Sequence, residues 1–225
     1  MTAPPARGKA GAKKPRPGYH HGDLAATLVR EGLAAVEAAG APAGIAALTL
    51  RGLARRARVS PAAVYRHFAD KEALLAAIAV QGFARLNARF AAALTEARRR
   101  TPLARLRALG MAYIDFALAH PGLCHLMFGA GRPAMGRYAA LEDEAARAWR
   151  YLADAVAAAG APGANRRTLD AATVAAWSLV HGYAVLRLEG QLAGFAPSDL
   201  PDAEAILLNL VPGTESGTAR ADRKS

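Results

Sequence analysis

Basic side chains are concentrated in the segment of residues 49–75, which reads TLRGLARRARVSPAAVYRHFADKEALL. Its cations are Arg51, Arg55, Arg56, Arg58, Arg66 and Lys71, with His67 among them. Between Arg51 and Lys71 the only acid is Asp70. A solvated helix surface normally mixes both signs of charge, so this one-sided run indicates a polyanionic partner. The alternative is that the arginines only keep a small domain soluble.

The apolar residues between these cations have helical spacing. Leu50, Leu53, Ala54 and Ala57 recur every three or four residues, which places them on one face of a helix. Thr49 is a suitable N-cap for that helix. Arg51, Arg55 and Arg58 then share another face of the same helix.

A second short helix is predicted to begin after Ser60, which is a suitable N-cap, with Pro61 in its first turn. Val64 and Phe68 are four residues apart and face the core, and Asp70 caps a third helix. Two helices joined by a tight turn and braced by a third form the arrangement that inserts a helix into the DNA major groove.

This segment resembles the DNA-binding domain of the tetracycline-repressor-like (TetR) regulators. The matching elements are LTLRGLARRARVS, AAVYRHF and DKEALL, and the match extends upstream through GYHHGDLAATLVREGLAAVEAAG. The resemblance implies that DNA phosphates are held by Thr49, Tyr65, His67 and Lys71. It implies that bases are read by Arg51, Pro61, Ala62, Ala63 and Arg66. We include Ser60 and Arg58 in the predicted DNA-binding set.

Two positions depart from the family pattern. The turn residue that is usually Gly or Asn is Arg58, which costs roughly 1 kcal/mol if the turn requires a positive φ. A usually acidic position inside the first of the two helices is Gly52, so the reciprocal capping bond to Thr49 is lost. Arg58 could supply a further phosphate contact.

Composition predicts an all-α protein. The 225 residues suit one or two domains, and the 53% of hydrophobic residues include much alanine, which favours helices. The net charge is +11; residues 1–90 hold 14 Lys and Arg against 5 Asp and Glu, and the rest hold 15 against 13. The part that faces a polyanion is therefore N-terminal. We predict a basic disordered arm (1–18), a three-helix helix-turn-helix domain (19–75), a helical ligand-binding and dimerisation domain (76–211) and a disordered tail (212–225).

The remaining sequence favours a cytoplasmic protein. The single cysteine, Cys124, excludes an internal disulfide and suits a reducing compartment. We find no uncharged apolar run of 18 residues, which predicts no membrane span. The basic arm lacks the apolar stretch of a signal peptide. It would follow the DNA backbone or reach into a minor groove, or else be a flexible tail without register.

The C-terminal half is predicted to be a helical bundle. Breaks at prolines and glycines suggest helices from 70 to about 99, 103–120, 123–128, about 137–159, 167–192 and 202–210. The family resemblance implies dimerisation through the last two. A stripe on residues 167–192 is the predicted interface: Ala175, Leu179, Gly182, Leu186 and Glu189. The alternative is that this stripe packs within its own subunit.

The resemblance also implies a cavity for a small effector. The stretch WSLVHGYAVLRLEG resembles the W-x-x-V-H-G signature of one TetR subgroup. Aromatic and thioether side chains can line an adaptable pocket, and the candidates are Met111, Tyr113, Phe116, Met127, Phe128, Trp149, Trp177 and His181. The alternative for each residue is plain core packing.

The sequence gives little support for a catalytic or metal-binding site. Cys124 and His125 are adjacent on a helix, where neighbours do not face each other. Glu142, Asp143 and Glu144 are consecutive and point in different directions. No third metal ligand lies near His20 and His21, and no cofactor is predicted.

The sequence therefore predicts a dimeric DNA-binding regulator, most simply a repressor of a palindromic operator in double-stranded DNA that is released by a small apolar or amphipathic effector. One alternative is a helical small-molecule-binding protein or enzyme whose helix-turn-helix domain no longer binds DNA. Another is a sequence-blind DNA-binding protein.

Overall fold

The computed structural model describes residues 21–40 and 42–195. Within this part the chain forms α-helices joined by turns and loops, and the predicted all-α class is confirmed. The helices are α1 His21–Ala39, α2 Pro42–Ala47, α3 Leu50–Arg56, α4 Pro61–Tyr65, α5 Lys71–Glu96, α6 Pro102–Ala119, α7 Pro121–Phe128, α8 Ala139–Ala159 and α9 Arg166–Leu188.

Side-chain caps fix the starts of the three helices around the basic segment. The Thr49 hydroxyl accepts from the Gly52 amide at 3.0 Å, and the Ser60 hydroxyl accepts from the Ala63 amide at 3.2 Å. An Asp70 carboxylate oxygen accepts from the Ala73 amide at 2.7 Å. Each bond satisfies an amide that has no partner within its own helix. All three predicted caps are therefore confirmed.

Helices α1 to α4 form the reading head, and its core continues into the first turns of α5. Leu50, Leu53 and Val64 are buried, which confirms the predicted inward faces of α3 and α4. Phe68 is buried as predicted, but it lies beyond α4, which ends at Tyr65. The 26-residue helix α5 then extends into the second half of the chain. The predicted domain boundary after Leu75 lies within this continuous helix.

Helices α5, α6, α8 and α9 pack together as the body. The shorter α7 lies between body and head and contacts α1, α2, α5 and α6. It approaches α1 closely at Gly122, where a β-carbon would collide with the carbonyl oxygen of Val36. A larger residue at position 122 would therefore force α1 and α7 apart.

Helix ends agree with the sequence predictions to within four residues. The largest difference is α9, predicted to reach Leu192 but ending at Leu188. Gly190 has a φ of 69°, and the Gly190 and Gln191 amides donate to the carbonyls of Arg187 and Leu186, which closes the helix. Helix α2 was not predicted, because its six residues, PAGIAA, carry no periodic signal. The predicted arm (1–18), the helix at 202–210 and the tail (212–225) lie outside the described residues.

Among the described helices, α9 alone is long and apolar enough to span a membrane, with a mean hydropathy of 1.2. Such a value is weak evidence, since helices of soluble proteins also reach it. Helix α9 packs against α6 and α8 through Ala176, Val180 and Ala184, yet only 28% of its apolar window is buried. Much of its apolar surface therefore lacks a partner within the described chain.

Candidate nucleic-acid interface and internal cavity

The predicted DNA contacts lie on α3, on α4, at the first residue of α5 and in the residues that flank these helices, and we call this set the cationic surface. Tyr65 is 50% exposed although it is aromatic. The exposed members of the set are Thr49, Arg51, Arg58, Ser60, Pro61, Ala62, Tyr65 and Arg66. Ala63, His67 and Lys71 are partly buried. The start of α4 carries only small side chains, those of Pro61, Ala62 and Ala63.

Most cations of this surface have no acidic partner. Arg56 pairs with Glu31 at 3.8 Å. For Arg51, Arg55, Arg58 and Arg66, no ion pair forms with any described residue. Unpaired guanidinium groups are suited to phosphate oxygens and to guanine edges.

The turn between α3 and α4 requires the left-handed conformation, and Arg58 adopts it with a φ of 56°. The Arg58 amide donates to the Arg55 carbonyl at 3.2 Å, and the Val59 amide donates to the Ala54 carbonyl at 3.0 Å. These two bonds form a Schellman motif, which normally places glycine at this position. The strain considered from the sequence is therefore present, and the Arg58 side chain is exposed in the turn before α4.

Lys71 has a structural contact in addition to its implied role. Its Nζ donates to the carbonyl oxygen of Ala46 in α2 at 2.6 Å. Partial burial lowers the pKa of this ammonium. An ammonium group has three N–H donors, so two remain for other acceptors.

An apolar cavity of about 230 Å³ lies inside the body. A single water needs only roughly 10–15 Å³, so this space suits a small organic molecule. Five predicted effector residues line it: Tyr113, Met127, Phe128, Trp149 and Trp177. Further lining comes from Phe83, Leu86 and Phe90 of α5, Leu106, Leu109 and Gly110 of α6, Arg132 and Met135, Ala145, Ala148 and Leu152 of α8, and Ala176 and Val180 of α9.

Three predicted effector residues do not line this cavity. Phe116 is fully buried and contacts the His120 ring at a centroid distance of 5.1 Å. Met111 is partly buried and packs against the core. His181 instead lines a second pocket, which lies between head and body and is also lined by Lys71, Cys124 and Glu189. Because α6 is apolar on several sides, sequence spacing did not distinguish Tyr113 from Phe116.

A hydrogen bond joins two polar side chains at the edge of the cavity, those of Tyr113 and His181. The Tyr113 hydroxyl lies 2.7 Å from His181 Nδ1, and the Cys124 thiol and the Trp177 indole lie close to it. Burial raises the pKa of Tyr113, raises the pKa of Cys124 to about 11, and lowers the pKa of His181. All three groups are therefore neutral near pH 7, and the Cys124 thiol is not activated.

Aromatic rings form the partition between the cavity and the second pocket. Phe128 lines both spaces. Its ring lies 5.5 Å from Phe83, 5.4 Å from His181 and 6.2 Å from Trp177, measured between centroids. A molecule in the cavity would contact this cluster directly.

The loop of residues 129–138 covers one side of the cavity, and sequence reasoning missed its role. Arg132 and Met135 line the cavity, whereas Arg137 pairs with Glu72 at 2.6 Å and with Asp70 at 3.4 Å. The Ala134 amide also donates to Glu72 at 3.0 Å. In the sequence GAGRPAMG, only the arginine and the methionine could have suggested that the loop lines a cavity. Phe83 and Phe90 also line the cavity, and their spacing of seven residues on α5 was a clearer sign that they share one helix face.

The predicted dimer stripe faces outward on α9. Ala175, Leu186 and Glu189 are exposed, and Leu179 and Gly182 are partly exposed. A β-carbon at Gly182 would meet no other atom within 4 Å. The neighbouring Val174 is 50% exposed. In the described chain the stripe is therefore not covered by its own subunit.

The described residues contain no group of three or more His, Cys, Asp and Glu side chains suited to hold a metal ion. His125 does not contact a nucleophile; its Nδ1 lies 2.9 Å from the Pro121 carbonyl and its Nε2 lies 3.3 Å from Glu189. His20 is outside the described residues.

Comparisons with known proteins agree with this architecture. Residues 34–78 match the model of bacterial regulatory proteins of the tetR family, and residues 106–209 match the tetracyclin repressor-like C-terminal domain. A protein of unknown function from Rhodococcus sp. RHA1 is 33% identical, with a TM-score of 0.68 over 86% of this chain and 94% of that one. SCO4313, for which a regulatory role has been suggested, is 24% identical, with a TM-score of 0.66 over 85% and 97%. A comparison with curated proteins found no match.

The chain therefore belongs to the TetR family of transcriptional regulators. Its N-terminal part is a helix-turn-helix DNA-binding domain, and its C-terminal part is the helical domain of that family. Members of the family typically bind ligands and form homodimers.

Proposed function

We propose that this protein is a ligand-responsive repressor that acts in the cytoplasm. It binds a palindromic operator as a homodimer and is released by a small apolar or amphipathic effector. The observation that best supports this function is the position of the 129–138 loop. Arg132 and Met135 of this loop line the cavity, whereas Ala134 and Arg137 of the same loop contact Glu72 beside the reading head, and Arg137 also contacts Asp70.

The DNA-binding role rests on the exposed cationic surface. Thr49, Tyr65, His67 and Lys71 hold phosphates, while Arg66 reaches the bases from the end of α4. An arginine fork matches the two acceptors of guanine in the major groove. The phosphate contacts set the register of the head and supply most of the salt-dependent affinity.

The homodimer forms through the outer face of α9. Its exposed apolar side chains, among them Val174 and Leu186, need a partner surface. Gly182 lies in the middle of this face, where a small residue lets two helices approach closely. Two-fold symmetry of the dimer then matches two-fold symmetry of the operator.

Effector binding changes the separation of the two heads. An occupant of the cavity displaces the side chains of Arg132 and Met135, and the loop transmits this displacement through Arg137 to the first turn of α5. The effector needs only to prefer the displaced arrangement over the DNA-bound one. Because α5 is continuous between body and head, the shift reaches Lys71 without an intervening hinge.

A two-stage experiment tests the function. A thermal-shift screen of apolar and amphipathic molecules finds an occupant, because a ligand of the folded state raises the melting temperature. The same molecule is then added to the protein bound to its selected operator and to scrambled DNA of equal length, at fixed salt. We expect specific affinity to fall. An occupant that stabilises the protein but leaves operator affinity unchanged would contradict the repressor mechanism.

The same measurement distinguishes the other functions. Equal affinity for operator and scrambled DNA would indicate a sequence-blind DNA-binding protein. Absence of DNA binding together with ligand binding would indicate a small-molecule-binding protein whose reading head is inactive.

A further inference from the structure

Few polar side chains line the cavity in the body, and those left for a ligand are hydrogen-bond donors. Arg132 is the only charged residue of the lining, and no carboxylate accompanies it. The Tyr113 hydroxyl is engaged with His181, and the Cys124 thiol and the Trp177 indole lie beside it. Trp149 contributes an indole, which can only donate a hydrogen bond. The groups left for a ligand are therefore donors, and the complementary ligand group is an acceptor.

Arg132 differs from the neighbouring loop arginine in its partners. Arg137 is paired with Glu72 and Asp70, whereas the Arg132 side chain has no ion pair or hydrogen bond with any described residue. Arg132 is also exposed, as are Met135 and Trp149, which are 45% and 41% exposed. These three residues form the rim of the cavity, and the aromatic cluster around Phe128 lies on its inner side.

We infer that the effector is an anionic amphiphile whose carboxylate binds Arg132 at the rim while its apolar chain fills the cavity. This inference rests on the proposed function, and it narrows the class of effector. A guanidinium donates two parallel hydrogen bonds to a carboxylate, a directional contact that a neutral ligand of the same length lacks. A cationic amphiphile would be repelled, and a neutral one would gain only the apolar contacts.

The position of Arg132 also connects ligand charge with release. Arg132 lies five residues before Arg137 in the same loop, so an anion bound to Arg132 pulls on the segment that is paired with Glu72. An apolar molecule without the anionic group fills the cavity but exerts less force on the loop. The charge of the ligand therefore affects both its affinity for the cavity and the extent to which it releases the protein from DNA.

The test uses three ligands with the same chain: decanoate, decan-1-ol and decyltrimethylammonium, each below its micelle concentration. Both tryptophans of the chain, Trp149 and Trp177, line the cavity, so their fluorescence reports occupancy. We expect decanoate to bind about threefold to tenfold more tightly than decan-1-ol, and this preference to shrink as salt is raised. Arg132→Gln should abolish the preference by lowering the affinity for decanoate more than the affinity for decan-1-ol.

Arg89→Gln is the matched control, because it removes an exposed arginine of α5 that does not line the cavity. It should keep the full preference for decanoate. Equal affinity for decanoate and decan-1-ol, or a preference that survives Arg132→Gln, would overturn the inference and leave an unselective effector cavity intact. Failure of all three ligands to bind would overturn it as well, whereas the thermal-shift screen would still test the proposed function with other molecules.

Discussion

Arg137 and Glu72 join the covering loop of the cavity to the reading head, with Arg137 Nη1 lying 2.6 Å from Glu72 Oε2. Glu72 also accepts from the Ala134 amide, so the loop is held at two points. Glu72 is in the first turn of α5, next to Lys71. The contact therefore lies between the two sites that the proposed mechanism couples.

Breaking this contact should uncouple the sites with little loss of stability. Arg137→Ala removes an ion pair that is 57% exposed on the arginine side, and exposed pairs contribute only about 0–1 kcal/mol. We expect a melting temperature close to that of the native protein but a smaller fall in operator affinity when a cavity ligand is added. Fluorescence anisotropy with labelled operator measures the fall. Arg89→Ala is the control, and an undiminished ligand response in Arg137→Ala would refute the coupling.

Lys71→Ala should weaken binding to operator and to random DNA alike. One phosphate contact fewer per subunit reduces the magnitude of the log–log salt slope by about one per subunit. The variant also loses the bond to the Ala46 carbonyl, so its melting temperature is measured in parallel. Arg98→Ala, which removes an exposed cation just beyond α5, should keep the native slope. An unchanged slope in Lys71→Ala would remove Lys71 from the phosphate contacts.

The reading head could be predicted from sequence because its signals are local. Caps at Thr49, Ser60 and Asp70 each lie three residues before the amide that they bind, so their spacing alone identifies the helix starts. The strained turn at Arg58 could also be anticipated, because the family resemblance places Arg58 at a position that is usually Gly or Asn.

The cavity could be predicted only in part, because its walls come from distant segments. Phe83 and Trp177 are 94 positions apart in sequence, yet both line it. Periodicity shows that a side chain faces inward, but it does not distinguish a packed core from a hollow, as Phe116 and Tyr113 illustrate on α6. Arg132 and Met135 lie in a loop without periodicity, so their role follows only from tertiary structure.

The turn residue Arg58 provides a test of backbone strain with its own internal control. Arg58→Gly and Arg58→Ala remove the same charge, but only glycine adopts a φ of 56° without strain. We expect Arg58→Ala to unfold with a free energy about 1 kcal/mol lower than Arg58→Gly, measured by urea denaturation. Both variants should bind DNA equally and more weakly than the native protein. Equal stabilities would mean that the turn changes its conformation when the residue is replaced.

Gly182→Glu should separate the subunits. The position is open in the described chain, so a glutamate is tolerated within one subunit but places a charge in the apolar face of the proposed dimer. We expect a monomer by light scattering, with native helicity by circular dichroism and no operator binding. Ala88→Glu adds the same charge at an exposed position of α5 and should stay dimeric. A Gly182→Glu dimer with normal operator affinity would show that the interface lies elsewhere.

Sequencing the DNA that the purified protein recovers from a random pool tests the central claim most directly. A dimer with two reading heads should enrich an inverted repeat whose half-site centres are about one helical turn, or a multiple of it, apart. The recovered sites should bind more tightly than scrambled DNA at the same salt concentration. Recovery of DNA without any enriched sequence, or enrichment of a single site without two-fold symmetry, would contradict a dimeric, sequence-specific regulator.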